Sequence, residues 1–395
     1  MSLLKDRSFL ATSVAHLLVD LINSQYPLML ALFSVPLGLS NALIGLLSMI
    51  YSFSGSLSQP FFGWLADKLG TRKLAVAGVI FMSLSFALTL VIPGGVALIF
   101  LMGTALGSGA FHPAGTSEAT RRGQQHLARL ENTATSLFFV FGQSGLFLGP
   151  VLGGTLLDRW GLHGLLLLIL PLIPGGFFLA RMDQLQTIPD QSVRPKPASA
   201  ASARSAQRPP PMFILLITLR AWVQMTMMAF LPKYLSDLGF KPGLFGPIAA
   251  LFMGGSAIGG VLGGWLADRF GNRIVVAGTL LIAVIPLSFF PSATDPLMLA
   301  LLSFTAGALI GAPHSILVVQ AQHMMPGRAG VASGLILGFT FASGSIGALV
   351  SGAIADQMGF PVVFFSLAAI ALAAAWISIS LKLFRITRQV PAARA

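Results

Sequence analysis

There is no cysteine anywhere in the chain, so disulfides and thiolate metal sites are excluded, while the redox compartment stays open. Charge is nearly as scarce. Only 9% of the 395 residues are Asp, Glu, Lys or Arg, against 55% apolar side chains and a mean hydropathy of +0.84. So few charges cannot cover a soluble globule, and the chain belongs in a bilayer. Ten-residue stretches of alternating polarity are also missing, which excludes an outer-membrane barrel and leaves helical spans of ~20 apolar residues. Basic patches interleaved with aromatics are missing too, so the net charge of +12 does not point to nucleic acid. The sequence has no pair of His at i, i+4 with a third metal ligand, no activated nucleophile and no phosphate-cradling loop. These absences argue against an enzyme and against a bound metal or cofactor.

Broken at Gly, Pro and charge clusters, the sequence holds twelve apolar segments, spans 1 to 12. They lie at roughly 8–34, 41–62, 74–92, 97–120, 130–153, 162–180, 212–235, 243–263, 274–292, 297–321, 329–351 and 361–381. Lys5 and Arg7 precede span 1, which is long and lacks a clear small-residue cleavage site, so it reads as an uncleaved span. An even count puts both termini on one side. With that side cytoplasmic, Arg159, Lys233 and Lys241 fall on outer loops, Arg220 falls inside a span, and the other 20 of the 24 Lys and Arg are inner. The basic excess is thus a topology signal. Residues 182–211, rich in Pro, Ala, Ser and Arg without apolar periodicity, read as a flexible linker. It separates an N-terminal six-helix bundle, 1–181, from a C-terminal one, 212–395.

One stretch organises this layout. Gly63-Trp64-Leu65-Ala66-Asp67-Lys68-Leu69-Gly70-Thr71-Arg72-Lys73, between spans 2 and 3, recurs 201 residues later as Gly264-Trp265-Leu266-Ala267-Asp268-Arg269-Phe270-Gly271-Asn272-Arg273. Two fainter copies keep only Gly154, Asp158, Gly161 and Gly352, Asp356, Gly359. The strong copies fall on the inner side and the faint ones on the outer side, as three-helix units of opposite orientation require.

The first of these stretches resembles the signature loop between spans 2 and 3 of the major facilitator superfamily. The resemblance implies an all-α membrane protein of twelve transmembrane helices in two pseudo-symmetric six-helix bundles, transporting by alternating access. In that superfamily the loop's Asp meets the N-terminus of a helix in the other half, where the macrodipole favours it, and the loop's basic residues join charge networks that open and close. This implies gating by Asp67, Arg72 and Lys73, and by Asp268 and Arg273 in the second copy. The alternative is that they cap tight turns and anchor headgroups. Gly145-Leu146-Phe147-Leu148-Gly149-Pro150-Val151-Leu152-Gly153-Gly154 on span 5 resembles the superfamily's antiporter motif. Its glycine spacing would admit a second backbone and Pro150 would bend the helix, although Gly-rich spans also pack without such a role. His16-Leu17-Leu18-Val19-Asp20 with Pro27, Gly109-Ala110-Phe111-His112-Pro113, and Arg220-Ala221-Trp222 with Phe230-Leu231-Pro232-Lys233-Tyr234-Leu235 are similar to the fosmidomycin-resistance group of exporters. One departure is Gly103, where many drug/proton antiporters carry an Arg.

Ionisable groups inside spans cost ~2.5–3.5 kcal/mol on insertion scales, so each needs a partner or a purpose. His16, Asp20, Ser24 and Pro27 share one face of span 1, with Asn23 beside it; Thr104, Ser108, His112 and Thr116 form a stripe on span 4. Arg220, Gln224 and Met228 do the same on span 7, and His314 follows Gly307 and Gly311 on span 10. At 1.5 Å rise per residue, His16, His112, Arg220 and His314 lie roughly 10–14 Å from the inner helix ends, with Asp20 somewhat deeper. One layer could hold all five, and the resemblance puts spans 1, 4, 7 and 10 around the cavity.

These residues carry the functional expectations. Asp20, with His16 and Arg220, is expected to couple protons. Asp20 and Arg220 would form a cross-half ion pair, either broken in transport or permanent. His112, His314, Gln143, Gln224, Asn23 and Ser108 are expected at the substrate, with proton carriage by His112 and His314 or ordinary core packing as the alternatives. Glu118 and Glu131, flanking the basic inner loop Arg121 to Arg129, are assigned to gating. The expected function is export of a small organic compound in exchange for protons, anions suiting the Arg and His. The alternative is proton symport or facilitated uptake of a nutrient or lipid-like solute. The expected setting is a monomer in the bacterial cytoplasmic membrane with both termini inside, without cofactor.

Overall fold

The computed structural model describes residues 5–126, 131–181, 209–324 and 329–381, and among them every regular element is helical. Span 1 is two helices, α1 (Arg7–Asn23) and α2 (Tyr26–Ser34). Asp6 starts α1 by accepting the Phe9 N–H at 2.7 Å. Span 2 is likewise divided, into α3 (Asn41–Ser56) and α4 (Gln59–Leu69), and span 10 into α12 (Pro296–Gly311) and α13 (Pro313–Met324). Each division sits at a proline, Pro27, Pro60 or Pro313, which lacks an N–H and disfavours helical backbone in the residue before it. Between these lie α5 (Thr71–Val91), α6 (Val96–His126), α7 (Glu131–Gly164), α8 (Leu172–Arg181), α9 (Pro211–Asp237), α10 (Pro242–Phe270) and α11 (Asn272–Phe289), and α14 (Ala329–Ser380) follows α13.

Nine stretches of the described residues are long and apolar enough to cross a membrane. Two of them, Leu137–Arg181 and Leu335–Ser380, are 45 and 46 residues long and fold back at Gly161 and Gly359, so each supplies two spans. Span 2 escapes the count because neither α3 nor α4 has the length alone. The twelve expected spans are therefore present. Of the expected linker 182–211, residues 182–208 lie outside those described.

All four signature copies end in a glycine with left-handed backbone: Gly70 at φ 95°, Gly161 at 63°, Gly271 at 92° and Gly359 at 80°. A Cβ at Gly70, Gly161 or Gly271 would meet nothing within 4 Å. Backbone conformation, and not lack of room, is what calls for glycine there.

Each group of six spans has its own buried aromatic core, with Phe9, Phe86, Phe111 and Phe138 in the first and Phe213, Phe245, Phe252 and Phe290 in the second. Apolar side chains such as Ile99, Val261 and Trp376 stay exposed around the outside, where a bilayer would cover them. The bundles meet along two crossings, α3 with α14 and α7 with α10, and α2 also packs on α9. Glycines make the crossings close. A Cβ on Gly45 would fall 2.8 Å from Leu349 Cα, and one on Gly246 would fall 2.9 Å from Gly154 Cα. The span-5 glycines serve a second contact: side chains at Gly145 and Gly149 would run into the Leu17 and Leu21 carbonyls of α1. That close approach is the one the motif predicts.

Candidate functional site

The side chains of α1 and α6 converge on Asp20. His16, one turn earlier on α1, places Nε2 3.2 Å from Asp20 Oδ2, and His112 of α6 places Nε2 3.2 Å from Oδ1. The other ring nitrogens are also held. His16 Nδ1 lies 2.8 Å from the Phe138 carbonyl and His112 Nδ1 lies 2.8 Å from the Ser108 carbonyl, with Ser108 Oγ at 3.2 Å. A carbonyl only accepts, so each Nδ1 carries hydrogen, and each neutral ring then turns an Nε2 lone pair towards the carboxylate. Lone pair facing lone pair is repulsive, so each of these contacts becomes a hydrogen bond only when a proton occupies it. The cluster's donor atoms lie within 4.8 Å of one another, close enough to share one small cation. The sequence showed no such cluster because its third member comes from a different span.

Room for this cluster comes from α7. A Cβ at Gly142 would sit 2.5 Å from His16 Nε2 and 2.6 Å from Asp20 Oδ2, so only glycine lets the helix pass. Phe138, one turn earlier, stacks on the His16 ring with centroids 4.0 Å apart. The sequence reading missed both residues. Gly142 was detectable, since it extends the run Gly145, Gly149, Gly153 by one turn. Side-chain exposure is 2% for His16, 8% for Asp20 and 20% for His112, which makes His112 the accessible member.

The second cluster is built on Arg220 of α9. Its Nε donates to the Ile310 carbonyl at 2.9 Å, Nη1 to His314 Nδ1 at 3.2 Å and Nη2 to Gln224 Oε1 at 3.1 Å. A guanidinium has donors only, so it uses the His314 Nδ1 lone pair and one lone pair each of the Gln224 and Ile310 oxygens. What remains unpaired by these bonds are the His314 Nε2–H, the Gln224 amide hydrogens and the other guanidinium N–H groups. This largely buried group is rich in donors and carries a positive charge.

The expected Asp20–Arg220 pair is not formed. Among the described residues each ion meets groups of its own bundle, Asp20 two imidazole nitrogens at 3.2 Å and Arg220 a carbonyl, an imidazole and an amide. The five residues expected in one layer thus divide into an acceptor-centred group and a donor-rich group. Asn23 accepts the Tyr51 hydroxyl at 2.6 Å. Gln143 is exposed and forms no hydrogen bond with a described residue. Gly103 backs onto Ser85 of α5, with 2.8 Å between its would-be Cβ and the Ser85 Oγ, so no Arg fits there.

The expected gating residues with contacts to described residues meet groups of the first bundle. Arg72 donates to the Leu179 and Ala180 carbonyls at the end of α8, the negative end of that helix. Glu118 accepts from Arg121 at 2.6 Å and from Arg122 at 2.9 Å, and Arg122 also lies 3.7 Å from Asp6 at the start of α1. Asp67, Lys73, Asp268 and Arg273 are exposed, and neither Asp has a hydrogen bond or ion pair to a described residue. Glu131 opens α7, but its side chain lies outside those described.

Comparison with known proteins agrees with this architecture. The chain is 27% identical over 365 residues to the fosmidomycin resistance protein of Escherichia coli (strain K12), a match covering 90% of this chain and 87% of that one. It is 24% identical to the multi-drug resistance efflux pump PmrA of Streptococcus pneumoniae serotype 4, covering 82% of each. The fold superposes, with a TM-score of 0.76 at 15% identity, on a bacterial homolog of the human lysosomal transporter Spinster in an inward-facing, unoccupied conformation, covering 94% of this chain and 95% of that one. The sequence pattern described as the Major Facilitator Superfamily matches residues 8–345 and 236–394, and with twelve spans in two bundles on the page, the chain belongs to that superfamily of membrane transporters.

Proposed function

We propose that this protein exports a small organic anion, such as a phosphonate, in exchange for protons, by alternating access between its two bundles. The observation that carries the reading is the division of the buried polar groups. His16, Asp20 and His112 meet in one bundle, while Arg220, His314 and Gln224 form a donor-rich cationic group in the other. Two chemically distinct sites on two bodies that move relative to each other suit an exchange of unlike ions. On this reading Asp20 with His16 and His112 holds the transported proton, Arg220, His314 and Gln224 hold the anion, and Ser108 orients His112. Gln143 and Asn23 are kept as solute contacts from α7 and α1. Asp67, Arg72, Lys73, Asp268, Arg273, Glu118 and Glu131 act as gating charges.

The similarity to a resistance protein and to an efflux pump supports outward transport. The same reading has the chain acting as a monomer in the bacterial cytoplasmic membrane with both termini inside and the halves 1–181 and 212–395 as its moving bodies. No chemical turnover is assigned to it.

The test is flux in proteoliposomes under pH gradients of each sign, with anionic, neutral and cationic competitors. Flux of a phosphonate against the proton gradient supports exchange, and flux with the gradient identifies symport instead. Asp20→Asn is expected to abolish gradient-driven flux while leaving anion binding in place. Proton-driven flux at the parent rate in that variant, or tighter binding of cations than of anions, would refute the proposal.

A further inference from the structure

The two faint signature copies have no part in the site, and the fold uses them unequally. We infer that Asp356 is a latch that holds closed the side of the molecule opposite the termini, and that Asp158, its counterpart, has lost this role to a single proline. The inference rests on the two-bundle fold and not on which solute or ion is moved.

Asp356 lies on α14, in the second bundle, and its carboxylate reaches the first residues of α3, in the other bundle. Oδ1 accepts the Asn41 N–H and Oδ2 accepts the Ala42 N–H, each at 2.7 Å. The opening N–H groups of a helix have no partner within it, so one carboxylate satisfies two of them and meets the positive end of the helix dipole. Gly352, one turn earlier, is pressed against the Asn41 carbonyl and 2.9 Å from the Phe230 ring by the same measure of a would-be Cβ, so no side chain separates the bundles there.

The matching crossing of α7 and α10 has the same approach without the bonds. Gly154 is pressed against the Pro242 carbonyl, and Asp158 Oδ2 lies 2.8 Å from where a Gly243 Cβ would be. Among the described residues Asp158 accepts no hydrogen bond. The residue equivalent to Asn41, 201 positions later, is Pro242, at the first turn of α10, where proline suits the helix but supplies no N–H.

On the side of the termini nothing comparable exists among the described residues. Asp67 and Asp268 make no hydrogen bond or ion pair, and their glycines contact only their own bundles, Gly63 at 3.8 Å from Pro113 Cβ and Gly264 at 3.5 Å from Ser315 Oγ. Of four signature carboxylates, one is bonded across the bundles. Opening the far side must break that bond pair, so Asp356 weights the equilibrium towards the state seen here.

The chain has no native cysteine, so introduced cysteines are the only spin-label sites. One pair, Val35→Cys with Lys241→Cys, reports on the latch side, and another, Leu69→Cys with Phe270→Cys, reports on the side of the termini; all four positions are exposed. Distances are measured by double electron–electron resonance on the full chain in nanodiscs. Asp356→Asn is expected to raise the long-distance population of the first pair on the order of tenfold and to shorten the second. Asn41→Pro copies the other crossing without harming the helix start, and is expected to shift both pairs in the same direction by less. Asp158→Asn is expected to match the parent. Distributions unchanged in both Asp356→Asn and Asn41→Pro would overturn the inference, and so would an Asp158→Asn shift as large as that of Asp356→Asn.

Discussion

His16 and Arg220 illustrate how far one residue's surroundings decide its chemistry. His16 is stacked on Phe138, tied to the Phe138 carbonyl and pressed so close to Gly142 that no side chain fits there. Gly142→Ala puts a methyl group into the His16 and Asp20 contacts, where α7 can withdraw only by losing its packing on α1. Overpacking of this kind costs ~1–3 kcal/mol. The variant is expected to melt several degrees lower, checked by thermal denaturation in detergent, and to lose proton-driven flux. For Arg220 the decisive property is the planar fork that serves three acceptors in different directions. Lysine keeps the charge but cannot span them. Arg220→Lys is expected to weaken anion binding by about tenfold or more, because the freed acceptors of His314 and Gln224 then face the anion. Calorimetric titration with a phosphonate checks this, and parent-like affinity would show that charge alone recognises the solute.

At the scale of elements, proline and glycine divide the labour. Prolines set where spans 1, 2 and 10 break, and glycines set how closely α7 approaches α1 and α10. The Gly154–Gly246 contact is backbone against backbone, with a would-be Cβ of Gly246 2.9 Å from Gly154 Cα. Backbone atoms cannot rotate away as a side chain can, so Gly246→Ala must part α7 from α10 on the side opposite the termini. The expected result is a larger population open on that side, read as faster alkylation of the single cysteine in Lys241→Cys. An unchanged rate would mean that the helices can slide to accommodate the methyl group. The signature loops make the same point from the sequence. Their final glycines were visible as a spacing, and the shared positive φ explains why the spacing survives even in the copies that kept only three residues.

For the molecule as a whole, two bodies joined by residues 182–211 should work without a continuous chain. Cleavage at a protease site introduced within 190–205 of the reconstituted transporter is expected to leave flux intact, and loss of flux on cleavage would show that the link itself transmits force. Much of this architecture was legible beforehand. Twelve apolar segments, the asymmetric placement of basic residues and the repeat at 201 residues all follow from local composition, because in a bilayer each span must satisfy its own backbone and its apolar length is written along the chain. The helix faces were legible for the same reason: His16 with Asp20, and Arg220 with Gln224, are neighbours at i, i+4. The partners were not. Sequence spacing implied that Asp20 and Arg220 shared a layer, yet depth along a helix says nothing about rotation about its axis or about which bundle a side chain meets first. Only the packing of α1 on α6 and α7 brought His112 and Gly142 to Asp20, and only the packing of α9 on α12 brought the Ile310 carbonyl to Arg220. The faint signature copies show the same limit, since Asp356 and Asp158 are set apart by whether the facing helix begins with Asn41 or with Pro242. The sequence by itself determined what lies in the membrane and which residues are costly there; the tertiary structure decided which of them meet, because contacts between distant segments depend on helix rotation and crossing that no local pattern encodes.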